Sequence, residues 1–244
     1  MAGNWKMYKT PEDTTAFFTK FTPLVATARD REIVIAAPFV DLAAALEATR
    51  GSNVEIGAQD VFWEKEGAFT GQISADMLKA AGVPWVIIGH SERRQYFGET
   101  DESVFKKTVA ALAAGLKPIV CVGEMLADRE SGRTGEVLKT QFGGGVAGLA
   151  PEQFAQIVIA YEPVWAIGTG KTATPQMASE AHAVIRSLAA AKFGQPAADS
   201  LRILYGGSVK PENAKELMAQ EQIDGVLVGG ASLKPEGFAS IVNF

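Results

Sequence analysis

Eight short runs of aliphatic and β-branched residues, separated by longer segments of helical period, constrain this chain more than any other feature. The runs are Ile33–Ala37, Val54–Ala58, Trp85–Gly89, Pro118–Val122, Ile157–Tyr161, Arg202–Tyr205 and Gly225–Val228, with a stub at Ala2–Lys6. They are almost continuously apolar, as strands buried on both faces of a parallel sheet are. Between them, Thr14–Ala28, Asp41–Thr49, Glu102–Ala114 and Gln176–Ala191 carry Ala-rich helical patterns. Pro11 and Pro175 fall near helix starts, while Gly51, Gly82 and Gly115 are the expected C-caps. Repeated βα units build either a doubly wound sheet or a closed (β/α)8 barrel. The 244 residues lie near the ~250 typical of the barrel, and no Pro/Ser-rich linker divides them. The expectation is an α/β protein with one (β/α)8 barrel domain over residues 1–244.

Composition narrows the function classes. The net charge is −5 without a basic block, which argues against nucleic acid or an acidic membrane surface as partner. The lone Cys121 lies in an apolar run and reads as a small core residue, so no disulfide forms within the chain. The start Met1–Lys6 lacks an apolar leader, and no run approaches ~18 apolar residues. A cytoplasmic location is expected. No His/Cys/Asp cluster has metal-ligand spacing, so no metal is expected.

In a barrel, the C-terminal ends of all strands meet at one rim, where polar residues are catalytic candidates. That rim would carry Asn4, Lys6, His90 and Glu162, together with the glycine-rich stretches Gly168–Gly170, Tyr205–Ser208 and Val228–Gly230. Taken singly, each admits an ordinary reading: a solvated lysine, a satisfied histidine, a surface carboxylate, turn glycines. Their joint placement at one end of different strands makes those readings improbable together. Tyr161–Thr172 is the richest stretch, with Glu162 at a strand end, then Pro163, then a loop of two glycines and a lysine able to wrap an anion. A base beside an anion-gripping loop suits proton chemistry on a small phosphorylated substrate. His182, mid-helix, reads as structural or solvated. Other motifs fail: Trp165 occupies the first glycine position of a P-loop ending Gly170-Lys171-Thr172, and Arg93 replaces the second glycine of a nucleophile elbow around Ser91. Gly143–Gly148 fits a dinucleotide-binding spacing but follows a helix-like segment.

Asn4-Trp-Lys-Met7, Gly89-His-Ser-Glu-Arg-Arg94, Tyr161–Thr172, Tyr205-Gly-Gly-Ser-Val209 and Gly229-Gly-Ala-Ser-Leu233 together resemble triosephosphate isomerase, in order along essentially the whole chain. The resemblance implies a TIM barrel of glycolysis and gluconeogenesis that interconverts dihydroxyacetone phosphate and D-glyceraldehyde 3-phosphate without a cofactor. It implies Glu162 as the base forming an enediolate, and His90 as a neutral electrophile at a helix N-terminus. Lys6 would supply a fixed cation, Asn4 would orient oxygen atoms, and Glu92 would be a supporting second carboxylate. The phosphate would sit on Gly168, Ser208, Gly229 and Gly230. Ala166, Ile167, Gly168, Thr169 and Gly170 would form a lid hinged at Pro163, Val164 and Trp165 and at Lys171, Thr172 and Ala173. The loop over 64–71, with Phe69 and Thr70 at its tip, would insert beside Asn4 and Lys6 of a second copy, giving a homodimer.

Three departures stand out. Only Met1 and Ala2 precede Gly3, so a shortened first strand and weakened closure against strand eight are expected, with chemistry retained. Gln72 stands where the family often has a glutamate that pairs with the Arg93 equivalent, and Tyr8 replaces a more usual asparagine. The competing readings are a Schiff-base aldolase acting through Lys6 and a phosphate-ligand binding barrel without chemistry.

Overall fold

The structure, a computed structural model, describes residues 1–167 and 172–244. Eight parallel strands close into a barrel in sequence order. They are β1 (Ala2–Asn4), β2 (Ile33–Ala37), β3 (Val54–Ala58), β4 (Trp85–Ile88), β5 (Lys117–Val122), β6 (Val158–Tyr161), β7 (Arg202–Tyr205) and β8 (Gly225–Val228). The α-helices among the described residues are α1 (Pro11–Val25), α2 (Leu42–Ala48), α3 (Ala75–Ala81), α4 (Ser91–Tyr96), α5 (Asp101–Ala114), α6 (Leu126–Glu130), α7 (Thr134–Gly145), α8 (Pro151–Phe154), α9 (Pro175–Phe193), α10 (Gln195–Ser200), α11 (Pro211–Met218) and α12 (Pro235–Val242). This is the expected (β/α)8 barrel.

Local chemistry sets the boundaries. Helix α1 begins at Pro11, ahead of the expected Thr14, because Thr10 and Asp13 form a capping box across its first turn. The expected Asp41–Thr49 helix divides into a 3-10 turn over Phe39–Asp41 and α2. Gly82 and Gly115 end α3 and α5 in the left-handed conformation, at φ of 85° and 83°. Strand β1 stops at Asn4, short of the expected Lys6, because Lys6 itself turns left-handed at φ 53°. Short as it is, β1 pairs with β2 at three positions and with β8 at two, so the barrel closes through it.

The alternation of strand side chains sorts the core into two layers. Ala2, Val34, Ala36, Trp85, Ile87, Ile119, Cys121, Val158, Ala160, Leu204 and Leu227 pack together inside the barrel. Their neighbours along each strand, such as Ile33, Ile35, Val86, Ile159 and Tyr205, pack outward among the helices. Each fully buried aliphatic side chain contributes about 1.5–3 kcal/mol. The period of two runs to the end of β1, where Asn4 shares the inward face of Ala2, and continues past the end of β6, where Glu162 shares that of Val158 and Ala160. At β4, Gly89 breaks the period with φ 76°, where a Cβ would lie 2.9 Å from Val104 Cγ2, and the following residue turns toward the barrel mouth.

Candidate active site

At the C-terminal rim a cleft of about 430 Å³ is lined by Asn4, Lys6, His90, Glu162, Ser208, Gly229 and Gly230, among others. Five strands, β1, β4, β6, β7 and β8, therefore deliver to one place the residues that the sequence singles out at their ends. Glu92 lies just outside the cleft and touches it through Lys6, whose Nζ is 2.5 Å from Glu92 Oε1.

Glu162 follows β6 and is only 2% exposed. Its carboxylate is bound on three sides: Oε2 accepts from the Ser91 backbone N–H at 2.9 Å, and Oε1 accepts from Ser91 Oγ at 3.3 Å and faces His90 Nε2 at 2.9 Å. Burial pushes its pKa up, but the facing His90, the Ser91 N–H and Lys6 together hold it below the usual carboxylate range. Gly206 and Gly123 make room for it. A Cβ on Gly206 would lie 3.0 Å from Glu162 Cγ, and one on Gly123 only 1.7 Å from the Glu162 carbonyl oxygen. These glycines serve close approach of backbone to backbone.

His90 is the N-cap of α4, and its Nδ1 accepts from the Glu92 backbone N–H at 3.2 Å. Burial opposes the imidazolium, while the Glu162 and Glu92 carboxylates outweigh burial and raise the pKa above that of an ordinary histidine. The helix N–H requires a bare Nδ1, and the carboxylate requires a proton on Nε2. A neutral ring protonated on Nε2 meets both requirements. If Glu162 moves away, its two contributions to the cation are lost, and burial and the Lys6 charge oppose the imidazolium against the Glu92 carboxylate alone.

Lys6 is held at both ends. Its N–H donates to Asn4 Oδ1 at 3.0 Å and its carbonyl accepts from Gln59 Nε2 at 2.8 Å. Its positive φ is a conformation that non-glycine residues keep only where neighbours over-determine it.

The comparisons with known proteins agree with this geometry. A family model described as triosephosphate isomerase matches residues 1–244. The chain is 67% identical over 244 residues to the triosephosphate isomerase of Solibacter usitatus (strain Ellin6076), covering 100% of this chain and 98% of that one. The triosephosphate isomerase of Trichlorobacter lovleyi is 57% identical, and that of Caldanaerobacter subterraneus subsp. tengcongensis 54%, each over the whole chain and over 97% and 98% of their own lengths. The chain belongs to the triosephosphate isomerase family. It is an isomerase of glycolysis acting between dihydroxyacetone phosphate and glyceraldehyde 3-phosphate, which sets aside the aldolase and binding-barrel readings.

In a triosephosphate isomerase of this sequence, the segment after Glu162 starts as a 3-10 turn over Val164–Ala166. Trp165 Nε1 and Tyr161 Oη both donate to Glu124 Oε1 at 3.0 Å, and Val164 N–H donates to the Glu124 carbonyl at 3.1 Å. Ile167 lines the cleft, Ala173 is buried and Thr172 exposed. Gly168, Thr169, Gly170 and Lys171, expected in the lid and, for Gly168, at the phosphate, lie outside the described residues.

The finger over 64–71 is exposed, and its tip residue Phe69 packs at a tilt of 48° against Phe62 with ring centroids 4.7 Å apart. Thr70 follows, exposed. Arg93 finds carboxylates without Gln72, pairing with Asp60 and Glu99 at 2.8 and 2.9 Å. Tyr8 lines the cleft. His182 is buried, with Nδ1 3.0 Å from the Gln222 carbonyl, away from the cleft-lining residues.

Sequence reasoning missed Ser91, which it rejected as a nucleophile, along with Gln59 and Glu124. None carries a local signal. Their partners stand 71, 53 and 37 residues away in the chain, and only the closed barrel brings them together.

Proposed function

We propose that Glu162 is the base of the isomerisation, acting in a single catalytic domain and within the cytosol. Glu162 takes a proton from C1 of dihydroxyacetone phosphate, and the electron pair moves into the C2 carbonyl to give an enediolate. Returning the proton to C2 yields glyceraldehyde 3-phosphate. A positioned base of this kind contributes on the order of 10²–10⁴-fold in rate. His90 donates from Nε2 to the oxygen on which charge develops and carries protons between the two oxygens. Lys6 supplies a fixed positive charge beside them, and Asn4 holds the Lys6 backbone in place.

The phosphate rests on backbone N–H groups of Gly168, Ser208, Gly229 and Gly230, with the segment from Pro163 to Ala173 closing over it to exclude water. Glu92 steadies Lys6. The 64–71 finger docks into a second copy, placing Thr70 near the partner's Asn4 and Lys6. No cofactor takes part, since atoms and electrons balance between substrate and product. The observation that supports this reading best is the buried Glu162 carboxylate in hydrogen-bond contact with His90 Nε2 at the edge of a cleft lined by Lys6 and by glycine backbone. In its resting contacts with Ser91 the carboxylate must swing toward the cleft to reach a carbon, so closure and base movement belong together.

Conversion run in D2O tests the enediolate. Solvent deuterium is expected at C2 of glyceraldehyde 3-phosphate formed from unlabelled dihydroxyacetone phosphate. Deuterium incorporation at an undiminished rate in Glu162→Gln would overturn the base assignment.

A further inference from the structure

Four charged side chains close a ring beneath the rim. Asp60 Oδ1 accepts from Lys107 Nζ at 2.7 Å, and Asp60 Oδ2 lies 2.8 Å from an Arg93 terminal nitrogen. Glu99 Oε2 accepts from Arg93 Nε at 2.9 Å, and Glu99 Oε1 lies 3.0 Å from Lys107 Nζ. Asp60, Glu99 and Lys107 are buried, and Arg93 is partly so. Two cations face two anions, so the ring carries no net charge. Its members come from the segment after β3, from α4, from the segment after α4 and from α5.

Four buried charges are a poor way to fasten elements for stability alone, since well-packed apolar residues of similar volume often do as well or better. The location of the ring supplies a different reason. Gln59, the residue before Asp60, donates Nε2 to the carbonyls of Lys6 at 2.8 Å and Ala36 at 3.0 Å. Glu92, the residue before Arg93, holds Lys6 Nζ at 2.5 Å. The backbone end and the ammonium end of Lys6 are thus gripped by the immediate neighbours of Asp60 and Arg93, which are themselves joined. The circuit runs from Lys6 through Gln59, Asp60, Arg93 and Glu92 back to Lys6, around the residue with the strained φ.

We propose that this ring sets Lys6 against His90, making Asp60 and Arg93 positioning residues for the isomerisation. The ring engages Nε and Nη2 of the Arg93 guanidinium and leaves the Glu92 carboxylate to Lys6. Taking the charge from Asp60 frees one edge of the fork, which then competes with Lys6 for a carboxylate. The ring also accounts for Gln72, because Arg93 already has two carboxylates within its own chain. The inference rests on Lys6 acting on the substrate.

Its test is a double-mutant cycle read by kcat, KM and the inhibition constant for inorganic phosphate. Asp60→Asn is expected to lower kcat/KM about 10- to 100-fold while circular dichroism stays unchanged. In a Glu92→Gln background, where the ion pair with the Lys6 ammonium is already cut and only the Gln59 contact to the Lys6 carbonyl remains, the same change is expected to cost less than about threefold. An equal loss in both backgrounds, or none in the first, overturns the proposal. If Asp60→Asn does not fold, Arg93→Lys takes its place in the cycle with the same expectation, since it keeps the charge and loses the fork. Lys6→Met run beside them separates the two layers of the argument. Full activity in Lys6→Met removes the Lys6 assignment and the ring's role with it, whereas a crippled Lys6→Met beside an intact Asp60→Asn removes the ring's role alone.

Discussion

At the residue scale, the site depends on how closely backbones approach around Glu162. An added methyl on Gly123 would meet the Glu162 carbonyl oxygen at 1.7 Å and its carbon at 2.6 Å, and neither atom can step aside without moving Glu162, the proposed base. Gly123→Ala is therefore expected to lower kcat/KM by about 100-fold, the order of loss for a displacement near 1 Å. It should also destabilise the fold by about 1–3 kcal/mol. Gly135→Ala in α7, where a Cβ meets nothing within 4 Å, should leave activity unchanged. Steady-state kinetics on the pair checks this, and a fully active Gly123→Ala enzyme would contradict it. The same crowding explains which site residues sequence could reveal. Lys6, His90 and Glu162 stand at strand ends and announce themselves by position. Ser91 could not, because its value lies in a backbone N–H that meets a carboxylate 71 residues away.

At the scale of elements, the inner strands were legible because burial on both faces leaves an unbroken apolar run. β2, β3, β7 and β8 begin and end where the sequence places them. β1 and β4 end early for one shared reason: Lys6 and Gly89 take positive φ values, and sequence pattern does not report φ at a lysine. Helix α7 was harder to see, since it ends in Gly143–Gly145, residues that weaken a helical pattern although packing retains them. Helix α9 carries a titration that the sequence does not reveal. Burial lowers the pKa of His182 from 6.5 to about 4, so the folded protein keeps the ring neutral while the unfolded chain takes up a proton. The stability it lends is complete above pH 6.5 and is lost as pH falls toward 4, on the order of 2 kcal/mol between pH 6.5 and 5. Urea unfolding at pH 7 and pH 5 checks this. His182→Gln should flatten the difference, and an unchanged pH dependence in that variant would rule His182 out as its source.

At the scale of the whole molecule, the barrel gathers its chemistry at one end and extends a finger away from it. Phe69, at the tip, is 42% exposed although it packs at a tilt against Phe62, and the proposed dimer would cover that apolar ring. Phe69→Asp is expected to shift the protein from dimer toward monomer in sedimentation velocity at micromolar concentration, with a fall in kcat as Lys6 loses its neighbouring cover. An unmodified chain that sediments as a fully active monomer would contradict the dimer. The chemistry is more local than the assembly and turns on the carboxylate of Glu162. Conversion of glyceraldehyde 3-phosphate to dihydroxyacetone phosphate is measured for the unmodified protein and for Glu162→Gln, which keeps the shape and removes the carboxylate. Rapid turnover is expected in the first and a loss of about 10²–10⁴-fold in kcat in the second, with KM little changed. Equal turnover in the two proteins would show that Glu162 is not the base.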